Sequence, residues 1–171
     1  MRTVVLDPPP PELAALIERR HATGADLYDE IWDGDYHMVP GPHTRHANVQ
    51  GQLLALLHEP ATQAGLGVFG PFNLGEPGNF RVPDGGICRT AVDKVYAATA
   101  DLVLEVLSPG DETYDKFGFY HAHHVAWILV AEPDSHRVRL FRRDDQGFEE
   151  VRDCPPLGIA ASQLAEMIRW P

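Results

Sequence analysis

The feature that most constrains this chain is an apolar run interrupted by one acid, Asp101-Leu102-Val103-Leu104-Glu105-Val106-Leu107-Ser108-Pro109. Its near-continuous hydrophobicity, ended by Ser-Pro-Gly, predicts a short strand buried on both faces. Burying an ionised carboxylate is costly unless a metal, a cation or hydrogen-bond donors compensate it. Glu105 therefore requires a partner. About twenty residues earlier, Arg81-Val82-Pro83-Asp84 closes another strand-like segment. Two acids are thus expected to converge where two strands meet.

Alternation along the strand places Val103, Glu105 and Leu107 on one face, and Leu102, Leu104 and Val106 on the other, towards the core. A pair formed by Asp84 and Glu105 at a sheet edge would be an oxygen-rich cradle suited to Mg²⁺ or Mn²⁺. Such an ion polarises a phosphate oxygen and lowers the pKa of bound water, the two requirements of phosphodiester hydrolysis. The competing reading is a structural ion pair between Glu105 and an arginine.

With 171 residues the chain is long enough for one domain, residues 1–171, with a substantial core. The formal net charge of -11, from 25 acidic and 14 basic residues, argues against high-affinity coating of nucleic acid through lysines and arginines. It leaves room for an enzyme that brings phosphate in through a bridging cation. The longest apolar run, Val125 to Ala131, is too short to span a bilayer, so no membrane partner is expected. The N-terminus has no long apolar segment, and Cys88 and Cys154 form no metal or redox spacing. A reducing cytoplasm is the expected location.

Taken in order, Pro11 starts a first helix with Leu13, Leu16 and Ile17 on one face and Gly24 as its cap. Tyr28 to Met38 reads as a hairpin about Asp33-Gly34, with Glu30 on its first arm. A second helix from about Thr44 carries His46 one turn ahead of an apolar face of Val49, Leu53, Leu56 and Leu57. Pro60 is expected to kink or end it. Short strand-like runs, among them Gly67-Val68-Phe69 and Asn79-Phe80-Arg81-Val82, lead to the central strand. A third helix follows, with Asp111 as candidate N-cap and Phe117, Tyr120, His121 and His124 as its stripe. Val125 to Ala131 is a buried strand, residues 138–141 and 147–151 pair across a turn at residues 144–147, and a short helix from about Ala160 to Ile168 ends the chain. This succession predicts a mixed α/β sandwich around one curved sheet flanked by helices.

These segments resemble a known family. Tyr28-Asp29-Glu30-Ile31-Trp32-Asp33-Gly34-Asp35, His46 in its helix, Arg81-Val82-Pro83-Asp84, Leu104-Glu105-Val106-Leu107-Ser108-Pro109, and Asp115-Lys116 through Tyr120 look like the putative restriction endonuclease (Uma-type) family of the PD-(D/E)XK nuclease superfamily. The resemblance covers about residues 12–142, with Ile168-Arg169-Trp170-Pro171 also in keeping. It implies a restriction-endonuclease-like fold and metal-dependent cleavage of DNA, with Asp84 and Glu105 as metal ligands. The superfamily's basic residue should stand two places after Glu105, where this chain has Leu107. The resemblance makes Lys116, on the following helix, its replacement, orienting the attacking water and stabilising charge on the phosphoryl group. The competing reading of Lys116 is an exposed pair with Glu112 at i,i+4.

Glu30 matches an acidic position of the family's hairpin and is a candidate further ligand or water-orienting base; otherwise it is one solvated acid among Asp26, Asp29, Asp33 and Asp35. His46 is a phosphate contact, a general base or a satisfied helix-start histidine. His121 and His124, at i,i+3, are the one histidine pair able to share a zinc ion, although core-flanking or dimer-contact histidines are the better account. Arg137, Arg139, Arg142 and Arg143 form the only basic concentration, either a phosphate-contacting strip or an ordinary solvated strand face. A homodimer is the expected assembly. The alternative function is a catalytically weak or inactive binding module of the same fold, favoured by Leu107 and by the acidic surface.

Overall fold

A computed structural model describes residues 3–89, 94–110 and 112–171. The chain begins with strand β1 (Thr3–Val5) and helix α1 (Pro11–Thr23), then forms the hairpin β2 (Glu30–Trp32) and β3 (Asp35–Met38) and the long helix α2 (Thr44–Gln63). Strands β4 (Gly67–Phe69), β5 (Asn73–Glu76), β6 (Asn79–Arg81), β7 (Gly85–Cys88), β8 (Tyr96–Ala97) and β9 (Leu102–Val106) follow. A 3-10 turn at Thr113–Lys116 runs into helix α3 (Phe117–Ala122). Strands β10 (Trp127–Glu132), β11 (Arg137–Arg143) and β12 (Phe148–Val151), the small pair β13 (Asp153–Cys154) and β14 (Ile159–Ala160), and helix α4 (Ala161–Met167) complete it.

The mixed α/β class is as expected, but the strands divide into two six-stranded sheets, with orders β1-β3-β2-β6-β5-β8 and β12-β11-β10-β9-β7-β4, where one curved sheet had been read. The division has a local cause. The chain leaves the second sheet after Phe69 through Gly70-Pro71, makes the β5–β6 hairpin in the first sheet, and returns through Val82-Pro83-Asp84 to β7. Proline lacks the N–H a ladder needs, so each proline ends one sheet before the next begins. Asp84 lies in the joint.

Strand β9 pairs parallel with β10 and antiparallel with β7, at the centre of the second sheet. Its predicted alternation is observed. Leu102, Leu104 and Val106 enter a core under α2 and α4 with Val49, Leu53, Leu57 and Leu164. Val103 faces a second core containing Leu74, Tyr120, Val125 and Ile128. Each face is covered, which is why the run reads as almost uniformly apolar.

Gly85 and Gly86, next to Asp84, allow the layers to close. A Cβ on Gly85 would stand 2.7 Å from Leu54 Cδ2 and 2.9 Å from the Phe69 carbonyl oxygen, so α2 can lie against β7 only if that atom is missing. The hairpin turn at Asp33 and Gly34 has φ of 51° and 100°, the paired left-handed conformation that Asp-Gly supplies.

Helix α2 runs through Pro60 to Gln63, contrary to the expected break. Leu57 and Ala61 on either side are fully buried against the core, and that packing offsets the hydrogen bond the proline cannot make. The third helix is shorter than its stripe implied. Only Phe117–Ala122 is α-helical, and His124 follows it with a positive φ of 57°. Asp111, the expected cap, lies outside the described residues.

Candidate active site

Three crossings of the chain converge on one cleft of about 390 Å³, whose lining includes Tyr28, Glu30, His46, Asp84, Glu105, Ser108 and Lys116. Glu30 arrives on the first arm of the hairpin, Asp84 on the joint between sheets and Glu105 on β9. His46 sits in the first turn of α2, whose start is capped by the His43 ring accepting from Arg45 N–H at 3.2 Å. Lys116 closes the 3-10 turn that leads into α3. All five residues singled out from the sequence line the cleft.

Their contacts are specific. Lys116 Nζ lies 2.8 Å from Glu30 Oε1 and 3.3 Å from Glu105 Oε1. Tyr120, one helical turn beyond Lys116, donates its hydroxyl to the same Glu105 Oε1. Glu30 Oε1 also accepts from Val82 N–H at 2.8 Å, and Glu30 Oε2 from Trp32 Nε1–H at 2.7 Å. Asp84 Oδ2 accepts from Val106 N–H at 2.7 Å, which fastens the joint to the strand carrying Glu105. Its Oδ1 is 2.9 Å from His46 Nε2, and His46 Nδ1 is 3.0 Å from Ser108 Oγ. The Nδ1 contact is a hydrogen bond with the Ser108 hydroxyl, and the Nε2 contact is a close approach to the Asp84 carboxylate.

Burial sets the electrostatics. Glu30, Glu105 and Lys116 are 2%, 3% and 8% exposed, so the exposed Glu112–Lys116 pair and the solvated Glu30 are both displaced by a buried triad. Glu105's partner is a lysine, not the arginine of the structural reading. Burial pushes the Glu105 carboxyl up to about 8; the Lys116 charge pulls it down and that of Asp84 pushes it up further. Burial would raise Glu30 as well, but the charge and hydrogen bond of Lys116, with the Val82 and Trp32 donors, hold it below the ordinary value. Burial favours a neutral amine at Lys116, yet the carboxylates of Glu105 and Glu30 prevail and keep it an ammonium well above the ordinary range. Burial and the Glu105 charge raise the Tyr120 phenol, which stays protonated as the donor.

The donor set suits a hard divalent cation. Both described hydrogen bonds to Glu105 fall on Oε1 and neither on Oε2, and Glu105 and Asp84 line the same cleft. Among the described residues no cluster of three or more His, Cys, Asp or Glu side chains forms a ready cage. Mg²⁺ characteristically keeps several waters and takes only one or two carboxylates together with substrate phosphate. Glu30 fits less well as a ligand, because each of its oxygens already accepts a hydrogen bond within the protein.

The remaining sequence candidates lie elsewhere. His121 Nε2 is 2.9 Å from the Asp144 carbonyl oxygen and His123 Nδ1 is 3.2 Å from that of Ala98, so these rings engage backbone. With His124 beyond the helix end, the i,i+3 spacing behind the zinc reading does not apply. Two arginines of the strip are engaged by acids, Arg139 with Glu150 at 2.6 Å and Glu132 at 3.5 Å and Arg142 with Glu149 at 3.0 Å, and Arg143 donates to the His121 carbonyl at 3.2 Å. Sequence reasoning placed Tyr120 in a helix stripe and Ser108 in a strand-ending breaker, both within segments that carry the family resemblance, and gave neither a role in the site. The i,i+4 spacing of Lys116 and Tyr120 was the available sign that they share a target.

Comparison with known proteins agrees with this architecture. A crystal structure of a putative nuclease belonging to DUF820 from Anabaena variabilis is similar, with a TM-score of 0.67, 15% identity, and coverage of 82% of this chain and 90% of that one. At that identity the likeness establishes the fold alone, which is restriction-endonuclease-like. No curated protein sequence matches the chain. The Uma2 family model, described as a putative restriction endonuclease, matches residues 16–165, which takes in the second sheet, all of the first but β1, the cleft and all five candidates. The chain belongs to that family.

Proposed function

We propose that this protein is a divalent-metal-dependent endonuclease that hydrolyses DNA phosphodiester bonds with Mg²⁺ or Mn²⁺. The observation that carries the reading is the Lys116 ammonium, held in the cleft between Glu30 and Glu105 although the strand offers only Leu107 where a basic residue was expected. A structural ion pair needs one acid. This cluster has two acids on one lysine, with Asp84 and His46 lining the same cleft.

Asp84 and Glu105 would hold the ion, which supplies Lewis acidity and a more acidic water. An ammonium has three donors, and the described partners of Lys116 take two, so the third is available to a phosphoryl oxygen. Held protonated, Lys116 stabilises negative charge and does not accept the water's proton. His46 fixes the orientation of Asp84, and Glu30 holds Lys116 in place. Water adds at phosphorus, the bond to one sugar oxygen breaks, and a phosphomonoester and a hydroxyl are left.

The test is nicking of supercoiled plasmid by the purified chain with Mn²⁺ or Mg²⁺. Asp84→Asn should lose at least about a hundredfold in rate. Absence of metal-dependent nicking by the unaltered protein across salt and pH, or full activity in Asp84→Asn, overturns the proposal. Leu107 favours one second reading, a non-cutting oligomeric module of the same fold. Calorimetry separates them: a 1:1 Mn²⁺ site lost in Glu105→Gln excludes a metal-free module.

A further inference from the structure

We propose that Tyr120 is a positioning residue: its hydroxyl ties Glu105 Oε1 to the helix, so that Oε2 is the oxygen presented to a divalent cation in the cleft. The inference rests on the metal-dependent reading above and adds to it a residue whose side chain otherwise belongs to the core.

Tyr120 is fully buried, in the core formed by Val103, Val125, Ile128 and Val130. A phenylalanine would make the same ring contacts, so packing does not account for the oxygen. A buried hydroxyl is retained at a cost unless it is bonded, and the described acceptor is the Glu105 carboxylate. Lys116 and Tyr120 stand four residues apart and reach the same oxygen from one side of the helix.

The two donors do different work. An ammonium is a compact point charge on a flexible stem, and it constrains the carboxylate plane weakly. A phenol O–H lies near the plane of a ring that is itself fixed by packing, with Phe119 edge-on at 6.2 Å and Val125 N–H bonded to the Tyr120 carbonyl at 3.0 Å. The hydroxyl is therefore the directional constraint on which oxygen faces the cleft. Groups that hydrogen-bond to metal ligands orient them in this way, and their removal typically weakens the metal by about 10- to 100-fold.

The experiment is calorimetric titration of Mn²⁺ into the purified chain without nucleic acid, alongside thermal melting. Tyr120→Phe should keep the fold and bind Mn²⁺ at least about tenfold more weakly. Val125→Ala, which opens the same core without removing a described hydrogen bond to Glu105, should lower the melting temperature and leave affinity within about twofold. Tyr120→Leu, the second variant, should lose affinity and also melt lower. Unchanged affinity in Tyr120→Phe overturns the proposal, as does an equal loss in Val125→Ala, which would make packing the cause. An unaltered protein that binds no Mn²⁺ overturns the metal-dependent reading itself, so the two failures are distinct.

Discussion

The Lys116 cluster and the arginine strip on β11 are built from the same chemistry, cations facing glutamates a few ångströms away, yet they differ in every consequence. Lys116, Glu30 and Glu105 have side chains 10%, 2% and 3% exposed, whereas Arg142 and Glu149 have 54% and 59%. At Arg142 and Glu149, water screens each charge and the pair dresses a solvated face. In the cleft, each charge has given up its hydration, and each depends on the others for compensation. The difference teaches that a site is recognised by the desolvation of its charges and not by their presence. Composition alone, at a net -11, conceals it.

The largest effect should come from Lys116→Ala. It leaves Glu30 and Glu105 buried without their cation and should destabilise the fold by about 3–5 kcal/mol in urea melts. A loss below about 1 kcal/mol would place the cluster in the same class as the strip. Next is the pH dependence of stability. The folded Glu105 carboxyl takes its proton near 8 against an ordinary 4.5, so the native state binds a proton that the unfolded chain releases within that window. Stability from this group is complete below about 4.5 and is lost as pH rises through about 8. Glu105→Gln should flatten the slope between those values; an unaltered slope would mean that Glu105 does not titrate as its burial requires. The smallest effect belongs to the strip. A double-mutant cycle on Arg139 and Glu150, 2.6 Å apart and part exposed, should give a coupling of about 0.2–1 kcal/mol that fades with salt.

The central strand, the Asp-Gly hairpin and the amphipathic second helix were legible because each carries a periodic or turn signal within a few residues. The two faces of β9 followed from alternation alone. The division into two sheets was not legible, since Gly70-Pro71 and Val82-Pro83 read as ordinary loop breaks until the partners of each strand are known. Passage of α2 through Pro60 was missed for a related reason: buried neighbours outweigh a local propensity. Convergence of Glu30, Asp84, Glu105 and Lys116 came from family resemblance and the need to compensate a buried acid, while Tyr120 was hidden because an aromatic on a helix stripe is ordinarily packing. The arginines looked available until the register of β11 and β12 set Arg142 opposite Glu149.

That the cation reaches the cleft from the turn before α3, and not from β9 itself, gives the centre two mechanical supports instead of one. Glu105 rides on a ladder whose spacing is set by backbone hydrogen bonds. The ammonium rides on a short segment held by the interlocked rings of Tyr114, Phe117, Phe141 and Phe148. Small changes among those rings thus bear on the gap between lysine and glutamate, and because Phe141 and Phe148 stand on strands of the same sheet as Glu105, they do so from both sides of it.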